Sequence, residues 1–127
     1  MTAFLLVFLG GGIGALFRHG VNVAVFRALG PGFPWATLIV NVSGSFLMGL
    51  LAGYLAFRAG GGLTQHARLF LATGVLGGYT TFSAFSMDAA LLMERGEMSQ
   101  ALAYVLGSVL LSILGLFIGL WLMRVLT

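Results

Sequence analysis

The chain has 127 residues, of which 60% are hydrophobic and only 7% are charged. Soluble domains carry about 25% charged residues, so this composition excludes an ordinary water-soluble fold. The net charge of +3 comes from six dispersed Arg, which is not a nucleic-acid-binding patch, and the lack of cysteine excludes disulfides and Cys-based metal sites.

Four stretches are apolar enough to cross a bilayer as helices, which takes about 20 residues each. They cover residues 3–26, 35–57, 67–93 and 100–124. The breaks between them, at residues 28–34, 58–66 and 94–97, are rich in glycine and proline or in charge. We therefore predict an all-α integral membrane protein with four transmembrane helices, in which residues 1–127 form a single membrane domain.

The first predicted helix has small residues and one arginine on a single face. Gly10, Gly14 and Arg18 are four residues apart, and glycine on such a face lets membrane helices approach closely. An arginine within a membrane helix usually faces protein or water, but Arg18 is near the helix end and could also extend to the headgroups. The sequence leaves structural pairing and headgroup contact open.

The second predicted helix carries a stripe of small and polar residues, namely Asn41, Ser45, Gly49 and Gly53. The side-chain amide of Asn41 must find hydrogen-bond partners within the membrane. Two interpretations remain open for it: a contact that joins helices, or a donor that faces a pore.

The third predicted helix contains glycine pairs, threonines and serines in residues 74–86, which are poor helix formers. We predict a break here at mid-membrane, which is tolerated only inside protein or beside water. Free carbonyls at the break, such as those of Gly77 and Thr80, would suit a small cation like Na⁺. Phe82 and Phe85 share a face beyond the break, a spacing more typical of core packing than of a site.

The fourth predicted helix places Tyr104, Ser108 and Ser112 in line at four-residue spacing. A single serine usually bonds back to a carbonyl of its own helix. Two serines aligned with a tyrosine favour a continuous polar track.

The arginines near the ends of the predicted helices do not favour one orientation. One side of the membrane would hold Arg58, Arg68 and Arg124, and the other Arg27 and Arg95 with Arg18 close by. Because positive charge in loops sets topology, this near tie suggests insertion in both directions and pairing of opposed copies. A bias that is merely weak explains the tie equally well.

Together these motifs resemble the Fluc (CrcB) fluoride-channel family over essentially the whole chain. The motifs are GGIGA at residues 11–15 followed by Arg18, PWATLIVN at 34–41, GGYTTFSAFS at 77–86, and the Tyr104, Ser108 and Ser112 track. The resemblance implies an antiparallel, dual-topology homodimer with two pores in the plasma (inner) membrane. It implies passive, selective export of cytoplasmic fluoride, which reduces fluoride toxicity.

The resemblance also assigns roles to individual residues. A structural Na⁺ at the dimer centre would be held by the backbone carbonyls of Gly77 and Thr80. The fluoride pore would be lined by eight residues: Thr37, Asn41, Phe82, Ser83, Phe85, Tyr104, Ser108 and Ser112. Arg18 and Asp88 would have vestibule or structural roles.

The chain departs from the family pattern at three positions. It has Ala84 where Thr is common, Ala36 where Gly is common, and Asp88 where many members have Glu. The loss of the hydroxyl at Ala84 affects only that hydroxyl's own contribution to the polar lining.

Three other classes of function compete with a channel. A proton-coupled exporter needs a carboxylate inside the membrane, for which Asp88 is the candidate. A membrane enzyme is disfavoured because His19 and His66 lie near loop ends and form no catalytic motif. A purely structural subunit would not need a broken helix. The residues alone indicate passage of a small anion or a small polar solute, and the resemblance specifies fluoride.

Overall fold

The computed structural model of the chain describes residues 1–58 and 65–126. Helix α1 spans Thr2–Leu29 and α2 spans Trp35–Gly53, which continues as a π-helical turn over Tyr54–Arg58. Helix α3 consists of three consecutive segments, Gln65–Arg68, Leu69–Leu76 and Gly77–Tyr79. Helix α4 spans Phe82–Glu94 and α5 spans Met98–Leu126. The predicted break at residues 58–66 lies largely outside the described residues.

Three of these helices are each long and apolar enough to cross a membrane, within the described part of the chain: α1, α2 with its extension to Phe57, and α5. The third predicted span is present as the two shorter helices α3 and α4, because Thr80 and Thr81 between them are extended. The predicted break is confirmed. The Thr81 hydroxyl starts α4 by accepting a hydrogen bond of 3.2 Å from the Ala84 amide.

Leu69–Leu76 of α3 is a π-helix of eight residues, which the sequence does not predict. It packs along α1. Such wide turns are rare and are often found near functional sites. The ends of the other helices lie within three residues of their predicted positions, and Gly30, with φ of 77°, terminates α1.

Glycines permit close approach between helices, as the sequence predicts. A Cβ atom at Gly14 of α1 would collide with the Val75 carbonyl of α3, and one at Gly49 of α2 would collide with the Leu116 carbonyl of α5. Backbone atoms therefore meet at both contacts. This is the packing that association between helices in lipid relies on.

The buried core cluster joins α4 to α5. Its members are Phe85, Ala89, Leu92, Ala101 and Tyr104. Most large apolar side chains elsewhere are exposed, including Phe8 at 75% and Leu110 at 64%. Such a surface is compatible with lipid and not with water.

Candidate functional site

A cavity of about 350 Å³ lies between α2, the break after α3, and α5. Its lining brings together residues that the sequence singled out on three different predicted helices: Asn41, Thr80, Phe82, Phe85, Ser108 and Ser112. These residues are up to 71 positions apart in the chain, from Asn41 to Ser112. Only the packing of α2 and α5 against the broken helix makes them one site.

Ser108 is the most informative side chain in this lining. It is only 5% exposed, and its hydroxyl has no hydrogen-bond partner among the described residues. The alternative prediction, a bond back to the preceding turn of α5, is therefore not what the structure contains. An unpaired buried hydroxyl costs about 1–3 kcal/mol, so a polar guest in the cavity would satisfy it.

The two phenylalanines of the lining have different environments. Their ring centroids are 5.4 Å apart, with 46° between the ring planes. Phe85 is 9% exposed and packs on Tyr104, whereas Phe82 is 76% exposed. Core packing accounts for the position of Phe85, which belongs to the core cluster. It does not account for Phe82, whose ring is outside that cluster in the single chain.

Asn41 joins α2 to the break through two hydrogen bonds with the backbone of Thr81. Its side-chain Nδ2 donates to the Thr81 carbonyl over 3.0 Å, and its Oδ1 accepts from the Thr81 amide over 2.8 Å. An amide group has two N–H donors, so one N–H of Asn41, which lines the cavity, has no partner among the described residues. The same side chain can therefore both join two helices and offer a donor to a pore, which are the two interpretations that the sequence left open.

Arg18 reaches the break from the opposite side. Its Nε donates a hydrogen bond of 3.1 Å to the Gly78 carbonyl. Of the two alternatives that the sequence left open, the structure contains the pairing within the protein.

The break also removes the usual partners of two backbone carbonyls. The Thr81 amide, which would bond to the Gly77 carbonyl in a continuous helix, donates to Oδ1 of Asn41 instead. The Ala84 amide, the helical partner of the Thr80 carbonyl, donates to the Thr81 hydroxyl. Gly77 and Thr80 thus carry freed oxygens beside the cavity, a donor type that suits a hard cation.

The remaining predicted pore residues lie outside the lining of this cavity. The Ser83 hydroxyl is 3.3 Å from that of Thr81. Tyr104 is fully buried and donates to Asp88 over 3.1 Å. Thr37 and Asp88 line a second cavity of about 490 Å³, together with Arg95.

Sequence reasoning missed three contributions to the site. Ser45 lines the first cavity, and its place on the Asn41 stripe was a usable signal. Ser43 lies 2.9 Å from the Tyr79 hydroxyl, a contact that the helical spacing does not reveal. Gly44 lies close to the Thr80 side chain, which the sequence does not predict either.

Comparison with known proteins points to the same family along nearly the whole chain. The family model described as "CrcB-like protein, Camphor Resistance (CrcB)" matches residues 5–120. A protein named fluoride-specific ion channel FluC from Rhodopseudomonas palustris (strain BisB5) is 64% identical over 124 residues, which is 98% of each chain. Fluoride-specific ion channel FluC 2 from Nitrobacter hamburgensis is 61% identical, again over 98% of each chain. A FluC protein from Hyphomonas neptunium is 57% identical over 98% of this chain and 97% of its own.

Proposed function

This chain belongs to the CrcB-like protein family, and we propose that it is a fluoride-selective passive ion channel that exports cytoplasmic fluoride. It is a membrane protein and not an enzyme. The observation that carries the proposal is the buried hydroxyl of Ser108, which has no partner among the described residues and lies at a cavity that Asn41, Phe82 and Phe85 also line. The named relatives supply the identity of the ion.

The lining suits a small anion that holds its water tightly. Moving a bare ion into a low-dielectric site costs tens of kcal/mol in a Born estimate unless donors replace the water. Ser108, Ser112 and the free N–H of Asn41 are such donors. The electropositive ring edges of Phe82 and Phe85 add stabilisation without a full charge that would trap the ion. Binding remains reversible, as conduction requires.

Export follows from the electrical potential of a bacterial plasma membrane, in which we place the protein. A membrane potential favours exit of a monovalent anion by about 2.3 kcal/mol per 100 mV. The sequence contains no nucleotide-binding motif of the G-x-x-x-x-G-K-[ST] type, which agrees with passive flow. Fluoride that accumulates in the cytoplasm would therefore leave without an energy source.

The working unit is an antiparallel, dual-topology homodimer with two pores. Phe82 supports this assembly because it is 76% exposed in the single chain although it lines the cavity. A second copy would cover this side and complete the pore wall. The near tie of arginine charge between the two sides of the membrane agrees with insertion in both directions.

A structural Na⁺ at the dimer centre would be held by the carbonyls of Gly77 and Thr80. The donor set fits, because the break deprives both oxygens of their helical partners. When bound, the ion would offset the repulsion between the partial negative charges of these carbonyl oxygens where two copies meet. Within the described residues there is no group of three His, Cys, Asp or Glu side chains that could hold a metal instead.

The decisive experiment is fluoride efflux from liposomes that contain the purified protein, recorded with a fluoride electrode. Parallel liposomes loaded with chloride measure selectivity, and protein-free liposomes measure the leak. We expect rapid fluoride release with little chloride release. Release of neither ion from folded protein would contradict the channel and would favour proton-coupled export through Asp88.

Reporter fusions at the C-terminus test the topology separately. A reporter that is active only in the cytoplasm and one that is active only outside it should both give signal. Signal on one side alone would contradict the dual-topology dimer. The channel proposal would then still be tested by the efflux assay.

A further inference from the structure

The break between α3 and α4 exposes backbone polar groups that must be satisfied within the membrane. An unsatisfied N–H or C=O at this depth costs several kcal/mol. Thr81 is the critical residue, because its φ of −151° and ψ of 115° take its amide out of the helical hydrogen-bond pattern, whereas its carbonyl, as that of an N-cap, begins the pattern of α4. Its amide therefore needs an external acceptor, and its carbonyl has a second lone pair that can accept from an external donor.

Asn41 supplies both groups from a single side chain. Its Oδ1 takes the Thr81 amide and its Nδ2 bonds to the Thr81 carbonyl, over 2.8 Å and 3.0 Å. The carboxamide thus behaves like the backbone of a neighbouring strand, which pairs with one residue through its N–H and its C=O. A hydroxyl offers its donor and its acceptor on one atom only, and a charged amine offers no acceptor.

The position of Thr81 in turn determines how α4 begins. Thr81 is the N-cap of α4, with its hydroxyl accepting from the Ala84 amide over 3.2 Å. The next residue is Phe82, and Phe85 follows one turn later. A displacement of Thr81 would move both rings relative to Ser108 across the cavity.

We propose that Asn41 is a positioning residue, which acts through the backbone of Thr81 to hold the start of α4 and the two phenylalanine rings in place. This role deepens the proposed channel function and is separate from any contact between the amide and the ion. It operates in the absence of fluoride, since both hydrogen bonds are within the protein.

Amide hydrogen exchange of Thr81 tests the contact directly. Protein labelled with ¹⁵N-threonine in detergent micelles gives few NMR signals, because the chain has only seven threonines. The neighbouring Thr80 amide bonds to the Leu76 carbonyl over 3.1 Å and serves as the internal reference. All samples are free of fluoride.

We expect Asn41→Leu, which keeps the size but loses both hydrogen bonds, to speed exchange at Thr81 about tenfold or more relative to Thr80. Asn41→Asp retains an acceptor for the Thr81 amide and should restore protection to within about threefold of the unchanged protein. Asn41→Ser, whose hydroxyl is too short to reach Thr81, replaces the leucine variant if that variant does not fold. Ser86→Ala is the matched control, because its hydroxyl bonds only to the Phe82 carbonyl of its own helix.

Unchanged exchange at Thr81 in Asn41→Leu would overturn the proposal. So would equal acceleration of Thr80 and Thr81, since that would indicate general loosening of the bundle. Neither result depends on whether the protein conducts fluoride.

Fluoride efflux then tests the consequence of the contact. If Asn41 acts through Thr81, the losses caused by Asn41→Leu and by Thr81→Val, which removes the N-cap hydroxyl, should not add in the double variant. Multiplicative losses would overturn the positioning role. An absence of fluoride flux in the unchanged protein would refute the channel. Hydrogen exchange at Thr81 would then still show whether Asn41 holds the Thr81 backbone.

Discussion

The hydroxyl of Tyr104 on α5 donates a hydrogen bond of 3.1 Å to the Asp88 carboxylate on α4. Tyr104 is fully buried and lies between Phe85, which lines the first cavity, and Asp88, which lines the second. A single side chain therefore connects the walls of the two cavities. Asp88, which a proton-coupled exporter would need as its carrier, already has a structural partner.

Replacement of Asp88 should affect stability according to whether an acceptor remains. Asp88→Leu leaves the buried hydroxyl of Tyr104 without its carboxylate, which should lower the free energy of unfolding by about 1–3 kcal/mol. Asp88→Asn retains an acceptor and should cost less. Denaturant titration in micelles measures the difference. Equal losses in both variants would contradict a structural role for the hydrogen bond.

Replacement of Ser108 should separate conduction from stability. Its hydroxyl has no partner among the described residues, so Ser108→Ala breaks no hydrogen bond within the protein. We expect fluoride efflux to fall by about tenfold to a hundredfold, since a lost donor to an ion costs about 1.5–3 kcal/mol. The free energy of unfolding should be unchanged or slightly higher. Ser86→Ala, which alters an exposed hydroxyl, is the control for efflux. Normal efflux in Ser108→Ala would remove this serine from the pore.

The two phenylalanines should respond differently to truncation. Phe85 belongs to the core cluster, so Phe85→Ala should destabilise the fold by about 3 kcal/mol as well as reduce fluoride efflux. Phe82 is 76% exposed in the single chain, so Phe82→Ala should reduce efflux with a smaller effect on the fold of each subunit. Unfolding and efflux are measured on the same preparations. Retained fluoride efflux in both variants would exclude the rings from conduction.

A methyl group at Gly14 should disrupt the contact between α1 and α3. The added Cβ would collide with the Val75 carbonyl and lie about 2.7 Å from the Tyr79 amide, and neither backbone atom can rotate away. We expect Gly14→Ala to reduce both folded yield and efflux. Gly107→Ala on α5, where a Cβ meets nothing within 4 Å, should be tolerated. If the two variants behaved alike, close packing at Gly14 would not be required.

Removal of sodium tests the proposed cation site without any substitution. The freed carbonyls of Gly77 and Thr80 would repel one another if the ion were absent. Replacing Na⁺ by N-methyl-glucamine throughout purification and efflux should therefore lower fluoride flux and weaken the proposed dimer. Size-exclusion chromatography in detergent measures the second effect. Full flux and an intact dimer without sodium would contradict the site.

Much of the fold could be predicted because lipid imposes simple rules on a sequence. Apolar stretches of about 20 residues must form helices, and the run of glycines and threonines in residues 74–86 is a poor helix former, so the break was predictable. The glycine faces around Gly14 and Gly49 also predicted where backbones meet. The π-helical turns were not predictable, since nothing in the spacing of Leu69–Leu76 distinguishes them from an ordinary helix.

The sequence by itself determined a membrane protein, predicted four crossings, and placed polar side chains on named helix faces and a weak point in the third helix. Only the tertiary structure decided which partner each polar group takes. It joins Asn41 to Thr81 and Arg18 to Gly78, and within the described part of the chain it leaves Ser108 without a partner at a cavity. The physical reason is that helical periodicity specifies the direction of a side chain around its own axis, whereas hydrogen bonds between helices depend on their relative depth and rotation, which packing alone sets.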